Sequence, residues 1–264
     1  MISIKNYVKV KTLEEAFQLN QSKRNCVLGG MLWLRLGKRS IDTAIDLSGL
    51  GMDKIEEFDD HFSIGAMTSL RQLEKSRELN SYFNNVIKDA VSDIVGVQFR
   101  NLATIGGSIW GRYGFSDLLT VFMSMDSYVQ LYKGGVVPLE QFAAMPKDND
   151  ILVSIIVNKT PGFFRYRSLR LQRTDFPVLN CAVSGYKGEY CCTVGARPGR
   201  AIKIKDERQI LAAGITEESI KSFAEYAAEN IAAGTNMRGS AEYRTQLAKV
   251  LVRRCLEDLQ GEYR

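Results

Sequence analysis

The stretch of sequence that decides the fold is QFRNLATIGGSIWGRYGFSDLL, residues 98–119. A helical pattern over residues 84–100 leads into it, and its centre is the glycine pair Gly106-Gly107. At its end, Ser116 precedes an apolar helical pattern that gives way to a strand near Tyr128. Consecutive glycine amides between regular elements can hold an anion when a second loop of the same kind faces them.

A second glycine pair lies in VLGGMLWL, residues 27–34, directly after a short strand pattern at Cys26–Leu28. The two loops together predict a phosphate-binding concavity. Because glycine pairs are also common at turns, a purely structural turn stays open for each loop alone. No GxGxxG motif follows a strand, so a Rossmann dinucleotide site lacks its main support.

The rest of the chain has an α+β pattern. Thr12 caps a helix over residues 12–20, and a Thr68-Ser69 cap starts a helix over residues 70–79. The segment NKTPG marks a boundary that divides the chain into domains 1–160 and 161–264. Further strands are predicted at 41–50, 61–70, 151–157, 179–183 and 190–194, and further helices at 217–232 and 240–259.

Composition excludes several function classes. With one histidine, His61, a His-based triad or multi-His metal site is impossible, and five cysteines without a CxxC favour reduced thiols over a metal or cluster site. We therefore expect no metal on this chain. The net charge of +5 is spread among acids and disfavours nucleic-acid binding. The start of the chain, MISIKNYVKVKTLEEAF, has polar residues where a signal peptide needs an apolar core, and no stretch approaches the length of a membrane span, so we expect a cytoplasmic protein.

Five motifs occur in an order that resembles one family. VLGGMLWL, SIGAMTSL (63–70) and QFRNLATIGGSIWGRYGFSDLL are similar to motifs in the FAD-binding domain of molybdenum hydroxylases of the xanthine dehydrogenase and carbon monoxide dehydrogenase type. VGARPGRA (194–201) and RGSAEYRTQLAKVLVRRCL (238–256) resemble the carbon monoxide dehydrogenase flavoprotein C-terminal domain. The resemblance covers nearly the whole chain.

The resemblance implies an α+β fold. Its first part is a two-subdomain FAD-binding domain of the PCMH/VAO-like type, with an extended flavin between the subdomains. A CO dehydrogenase flavoprotein C-terminal domain follows. Asp117 would hydrogen-bond the adenosine ribose, Ile94 and Leu152 would line the cofactor, and Arg167 matches a family lysine near the flavin ring. The loops around the diphosphate would supply Val27, Leu28, Gly29, Gly30, Met31, Leu32, Trp33, Leu34, Thr104, Ile105, Gly106, Gly107 and Ser108.

Alternatives remain for three of these residues. Asp117 is also typical of a first helical turn, where it favours the helix dipole, and Ile94 and Leu152 could be ordinary core residues. The chain departs from the family at Met31 (usually threonine), Ser108 (usually asparagine) and Thr120 (usually proline). We expect FAD to bind still, because the backbone amides survive these changes.

By resemblance, the chain is an oxidoreductase subunit without catalytic residues of its own. It would take electrons from [2Fe–2S] clusters on a small partner subunit, beside a large molybdopterin-binding subunit, and pass them through FAD to NAD or another acceptor. Two alternatives are a stand-alone flavin-dependent oxidoreductase and a non-catalytic flavoprotein scaffold. The basic segments at 195–200 and 238–254 are interpreted as turns and a partner-facing helix, against a less favoured nicotinamide phosphate site.

Overall fold

A computed structural model describes residues 1–262 of the chain. The chain folds into two compact units, each assembled from separate segments. The first unit comprises Met1–Leu73, Gly96–Gly111 and Ser127–Asn158. The second comprises Glu74–Val95, Arg112–Asp126 and the chain from Lys159 onward. Among residues 1–262, no helix is both long and apolar enough to cross a membrane.

The first unit contains a small parallel sheet in the order β1-β3-β2. Its strands are β1 (Ser3–Lys9), β2 (Cys26–Leu28) and β3 (Ser40–Asp46), and the helix α1 (Leu13–Asn20) connects the first two. Thr12 caps α1 by accepting from the Glu15 amide, which confirms the predicted start of this helix. Strand β1 was not predicted, because it is exposed along nearly its whole length and its sequence is correspondingly polar.

A five-stranded antiparallel sheet completes the first unit, in the order β4-β5-β8-β6-β7. Three helices accompany it: α5 (Val97–Leu102), α6 (Ile105–Gly111) and α8 (Leu139–Ala144). Helix α6 packs against β8. The strands are β4 (Ile55–Glu57), β5 (His61–Gly65), β6 (Ser127–Leu131), β7 (Gly135–Pro138) and β8 (Leu152–Asn158).

The second unit is built on an antiparallel sheet in the order β12-β11-β10-β9. Helices α9 and α10 cover one face and share an apolar core with it, while α7 packs against β10 and β11 and α4 against β9. The strands are β9 (Gly162–Arg170), β10 (Pro177–Tyr186), β11 (Glu189–Gly195) and β12 (Ile202–Lys205). The helices are α3 (Arg77–Tyr82), α4 (Val86–Ser92), α7 (Asp117–Ser124), α9 (Glu217–Asn230) and α10 (Ala241–Glu262), and α2 (Leu70–Lys75) precedes α3.

Two predicted helices are wrong in extent. The helix predicted over 84–100 is two helices, α4 and α5, because Val95 has a left-handed φ of 49° and Gly96 is extended. The helix predicted over 70–79 breaks at Ser76, whose hydroxyl caps α3 by accepting from the Leu79 amide. The charged segment after residue 138 contains the helix α8.

Candidate functional site

The first glycine loop follows β2 and turns sharply at Met31, which has a left-handed φ of 58°. The Met31 side chain packs with Leu34 against a small apolar cluster of Leu28, Ile41 and Ala44. Met31, which stands where the family usually has threonine, therefore contributes its side chain to the core of this unit. Only the backbone of Met31, and not its side chain, is available for binding a ligand.

Backbone donors are left over in this loop. Within residues 1–262, the N–H groups of Gly30, Met31 and Leu32 meet no hydrogen-bond acceptor, whereas the Met31 carbonyl accepts from the Arg35 amide over 3.0 Å. Gly30 and Met31 are half-buried, so a ligand can reach their amides from the surface. Successive amides around a left-handed residue form a concavity that binds anions. The loop therefore fits one phosphate or diphosphate group.

The second glycine loop has different chemistry, because its amides are already bonded inside the unit. The Ile105 and Gly106 amides donate to the carbonyls of Thr68 and Ala66 over 2.9 and 2.8 Å. The Gly107 amide donates to the Thr104 hydroxyl over 3.1 Å. Unlike the first loop, this loop therefore leaves neither glycine amide without an acceptor.

The same contacts explain the motif SIGAMTSL. Its carbonyl groups at Ala66 and Thr68 fix the start of α6, and the Leu70 amide returns a bond to the Ala103 carbonyl. A Cβ on Gly106 would overlap the Ala66 carbonyl group, so this close approach requires glycine.

The structure brings the two glycine loops together. A Cβ on Gly30 would overlap the carbonyl oxygen of Leu102. A Cβ on Gly29 would lie 2.9 Å from Thr104 Oγ1 and 3.9 Å from the Gly107 Cα atom. The convergence of the loops is thus a feature of the fold of the first unit. Gly107 itself is exposed beside this junction.

The remaining residues predicted at the loops have mixed surroundings. Leu28, Leu32, Thr104 and Ile105 are buried, and Trp33 is 40% exposed. Val27, Leu34 and Ser108 are half-buried. Leu152 is buried in β8, the strand on which α6 packs.

Asp117, in the second unit, begins α7 after the Ser116 cap and is buried with three partners. Oδ1 accepts from the Tyr166 hydroxyl and, over 2.9 Å, from the Asn180 side-chain amide. Oδ2 lies 2.9 Å from Arg170 Nη2, and both side chains are more than nine-tenths buried. Burial, followed by the Asp117 charge, raises the pKa of Tyr166 well above its usual value, so this phenol stays a donor.

A chain of hydrogen bonds orients the Asn180 amide. Because the Asp117 carboxylate can only accept, the Asn180 amide nitrogen faces it, and Asn180 Oδ1 accepts from Thr120 Oγ1 over 2.9 Å. Gly195 leaves room for this pair, because a Cβ there would overlap both polar atoms. The hydroxyl of Thr120, where the family usually has proline, is therefore part of the support of Asp117.

Arg167 and Ile94 do not join the Asp117 cluster. Arg167 makes a two-pronged ion pair with Asp258 of α10, in which Nη2 lies 2.6 Å from Oδ2 and Nε 3.2 Å. Side chains of a strand alternate between faces, and Tyr166 and Arg170 occupy the face opposite to that of Arg167. Ile94 is half-buried just after α4.

The basic segments of the second unit are used mainly for its own backbone. Arg197 donates to the carbonyls of Arg200, Ile231 and Ala232. Arg244 is 1% exposed and donates to the carbonyls of Val178, Gly234 and Gly239. These contacts favour the interpretation as turns and a helix over a nicotinamide phosphate site.

Cysteine and metal chemistry adds no further site. All five cysteines are free, and Cys181, Cys191, Cys192 and Cys255 are buried. Within the described part of the chain, no group of three or more His, Cys, Asp and Glu side chains can hold a metal ion.

Sequence reasoning missed Tyr166, Arg170 and Asn180. Their signal was the alternation of strand residues: polar side chains at 166 and 170 on β9 and at 180 on β10 share one face of a sheet whose other face is apolar.

Comparisons with known proteins agree with this geometry. Residues 2–159 match the family described as "FAD binding domain in molybdopterin dehydrogenase", and residues 164–259 match "CO dehydrogenase flavoprotein C-terminal domain". The uncharacterized protein YgfM of Escherichia coli K12 is 26% identical over 220 residues, which are 82% of this chain and 80% of the relative.

A further relative and a solved structure each match nearly the whole chain. The 6-hydroxypseudooxynicotine dehydrogenase complex subunit alpha of Paenarthrobacter nicotinovorans is 23% identical over an alignment that covers 95% of this chain and 93% of the relative. The reconstituted CO dehydrogenase from Oligotropha carboxidovorans contains a chain with a TM-score of 0.85 and 21% identity, covering 97% of this chain and 96% of that chain.

The chain belongs to the family of FAD binding domains in molybdopterin dehydrogenases. Its second part is a CO dehydrogenase flavoprotein C-terminal domain. The predicted α+β fold class, the predicted family and the predicted FAD-binding domain are thereby confirmed. The chain is an oxidoreductase subunit of the molybdenum hydroxylase family.

Proposed function

We propose that the chain is the electron-relaying medium subunit of a molybdenum hydroxylase complex. It works with a large molybdopterin-binding subunit and a small subunit carrying [2Fe–2S] clusters, and it delivers electrons to NAD or another acceptor. The observation that carries the proposal is the row of unpaired amides at Gly30, Met31 and Leu32, next to a tightly packed second glycine loop, in a chain of this family.

The loop at residues 30–32 holds the FAD diphosphate. Hydrogen bonds from backbone N–H groups to a charged oxygen contribute about 1.5–3 kcal/mol each, so three such donors supply a large part of the affinity. The hydroxyls of Thr104 and Ser108 add donors beside them. Bound FAD supplies the exchange between one-electron and two-electron carriers.

Other residues of the chain complete the cofactor contacts. Asp117 accepts from the adenosine ribose, and Ile94 and Leu152 supply apolar contacts. The backbone at Val27, Leu28, Gly29, Trp33, Leu34, Ile105, Gly106 and Gly107 shapes the loops, and Arg167 stays a predicted contact near the flavin ring. Division of the chain into domains 1–160 and 161–264 and a cytoplasmic location belong to the same proposal.

The proposal is tested by expressing the chain alone and together with the products of its neighbouring genes. We expect FAD on the chain in both preparations, and iron and molybdenum only in a co-purified complex. Reduction of the flavin by the complex's substrate, but not in the isolated chain, is the expected sign of an electron relay. A chain that purifies with FAD, binds no partners and turns over a metabolite alone would contradict it.

A further inference from the structure

The Nε atom of Arg170 meets no acceptor among residues 1–262, although the side chain is only 7% exposed. Its Nη2 atom bonds Asp117, and its Nη1 atom donates to the Asp175 carbonyl over 2.6 Å. The guanidinium nitrogen without an acceptor is Nε. Buried polar groups are almost always hydrogen-bonded, so an orphaned guanidinium donor indicates an acceptor that belongs to a ligand.

The shape of the guanidinium shows where this acceptor lies. Nε–H and one Nη2–H point in the same direction along one edge of the planar group. Arg167 uses that whole edge, since its Nε and Nη2 atoms both bond Asp258. Arg170 uses only Nη2 toward Asp117, so its free Nε–H points alongside the Asp117 carboxylate.

Asp117 also has unused capacity. A carboxylate has about four lone-pair positions, and three are taken by Tyr166, Asn180 and Arg170. The position left over is on Oδ2, beside the free Nε–H. A hydroxyl both donates and accepts one hydrogen bond, so a single hydroxyl satisfies both groups at once.

We propose that Arg170 binds the cofactor directly, with one hydroxyl of the adenosine ribose donating to Asp117 Oδ2 and accepting from Arg170 Nε–H. This inference rests on the proposed function, because it takes FAD as the ligand. Arg167 has no part in it, since it lies on the opposite face of β9. Tyr166 and Asn180 are positioning residues that hold the Asp117 carboxylate in place.

The test compares Arg170→Lys with Arg208→Lys in the full chain; Arg208 is an exposed arginine whose guanidinium lies over the Tyr226 ring. Lysine at position 170 keeps a cation beside Asp117 but lacks the second donor on a planar edge. We expect Arg170→Lys to raise the Kd for FAD about tenfold, the value of one hydrogen bond, in a fluorescence titration. Arg208→Lys should leave the Kd for FAD unchanged, because this exposed side chain keeps its charge and lies over Tyr226.

A second readout separates ligand contact from a general loss of structure. Analogues of FAD that lack either the 2′ or the 3′ hydroxyl of the adenosine ribose are titrated against both proteins. The native chain should bind one of the analogues about tenfold more weakly than FAD. In Arg170→Lys, the ratio of the Kd for that analogue to the Kd for FAD should be clearly smaller, because the hydroxyl has lost its contact with Nε.

The outcomes are distinct. Unchanged FAD affinity in Arg170→Lys, or equal hydroxyl ratios in the two proteins, overturns this inference and leaves the proposed function standing. Failure of the native chain to bind FAD overturns both. If Arg170→Lys does not fold, the analogues on the native chain decide: equal affinity for FAD and both analogues overturns the inference, and an about tenfold weaker binding of one analogue supports it.

Discussion

Gly30 lies so close to the backbone of Leu102 that any side chain on residue 30 would overlap the Leu102 carbonyl oxygen. This approach joins two loops that are about 70 residues apart in the sequence. Beside it, the amides of Gly30, Met31 and Leu32 meet no acceptor among residues 1–262. The packing of the two loops therefore requires glycine at residue 30.

Gly107 and Gly106 are expected to respond differently to alanine. A Cβ on Gly107 would lie 3.1 Å from the Thr104 hydroxyl and meet no backbone, whereas a Cβ on Gly106 would overlap Ala66. Gly107→Ala should keep the apo melting temperature and weaken FAD binding about tenfold, if the diphosphate lies there. Gly106→Ala should lower the melting temperature. Unaltered FAD affinity in a folded Gly107→Ala would count against a cofactor beside this glycine.

Thr120→Val should destabilise the chain by about 1–3 kcal/mol, because it leaves the buried Asn180 Oδ1 without its donor. Thr120→Ser, which keeps the hydroxyl, is the matched control and should lose much less. Urea denaturation of both variants measures the difference. Equal stability of the valine and serine variants would mean that the hydroxyl does not hold Asn180.

Glu14 should contribute stability that depends on pH. The Gln18 amide, the Tyr132 hydroxyl and the Lys133 ammonium bond its carboxylate and lower its pKa from 4.5 to about 2. Because the pKa of this carboxyl is lower in the folded than in the unfolded state, its ionised form stabilises the fold at pH values above the unfolded-state pKa. This contribution is lost as the pH falls through the folded-state pKa. Glu14→Gln should therefore lower the urea midpoint at pH 7, and the difference should shrink between pH 4.5 and 2.

A matched control for that titration is Glu140→Gln, which changes an exposed glutamate of α8. It should shift the urea midpoint little at either pH. A Glu14→Gln difference that stays constant from pH 7 to the acid limit would show that this carboxylate is not selectively bound in the folded state.

Alkylation of the native chain should be confined to Cys26. This thiol is half-buried, while the other four are buried. Burial also raises the pKa of Cys192 well above its usual value, so little thiolate forms there. Iodoacetamide followed by mass spectrometry should show one slowly modified cysteine in the folded chain and five after denaturation. Rapid labelling of Cys181 or Cys255 would contradict the packed core between β10 and α10.

Local sequence signals predicted those parts of the fold that depend on neighbouring residues. Thr12 and Ser116 each cap a helix where the sequence predicted one, because a cap needs only a side-chain oxygen and an amide three residues later. The helix over 84–100 was predicted too long, since nothing in a valine signals the left-handed conformation of Val95. The edge strand β1 was missed because its apolar pattern is weak.

The candidate site was predictable in its glycines and less so in its polar partners. Both glycine pairs stand out in the sequence, but which amides stay free depends on the carbonyls of Ala66 and Thr68, which no pattern reveals. Arg167 and Arg170 are three residues apart in one strand, and only the direction of the side chains distinguishes the one that meets Asp117.

The most direct test of the central claim is the flavin content of the purified chain, measured by absorbance and by identification of the flavin released on denaturation. We predict about one FAD per chain, because the loop with three free amides has room for the diphosphate of one FAD. A folded chain that contains no FAD after expression, and takes up none on incubation with it, would contradict the assignment of residues 27–34 and 104–108 to the cofactor.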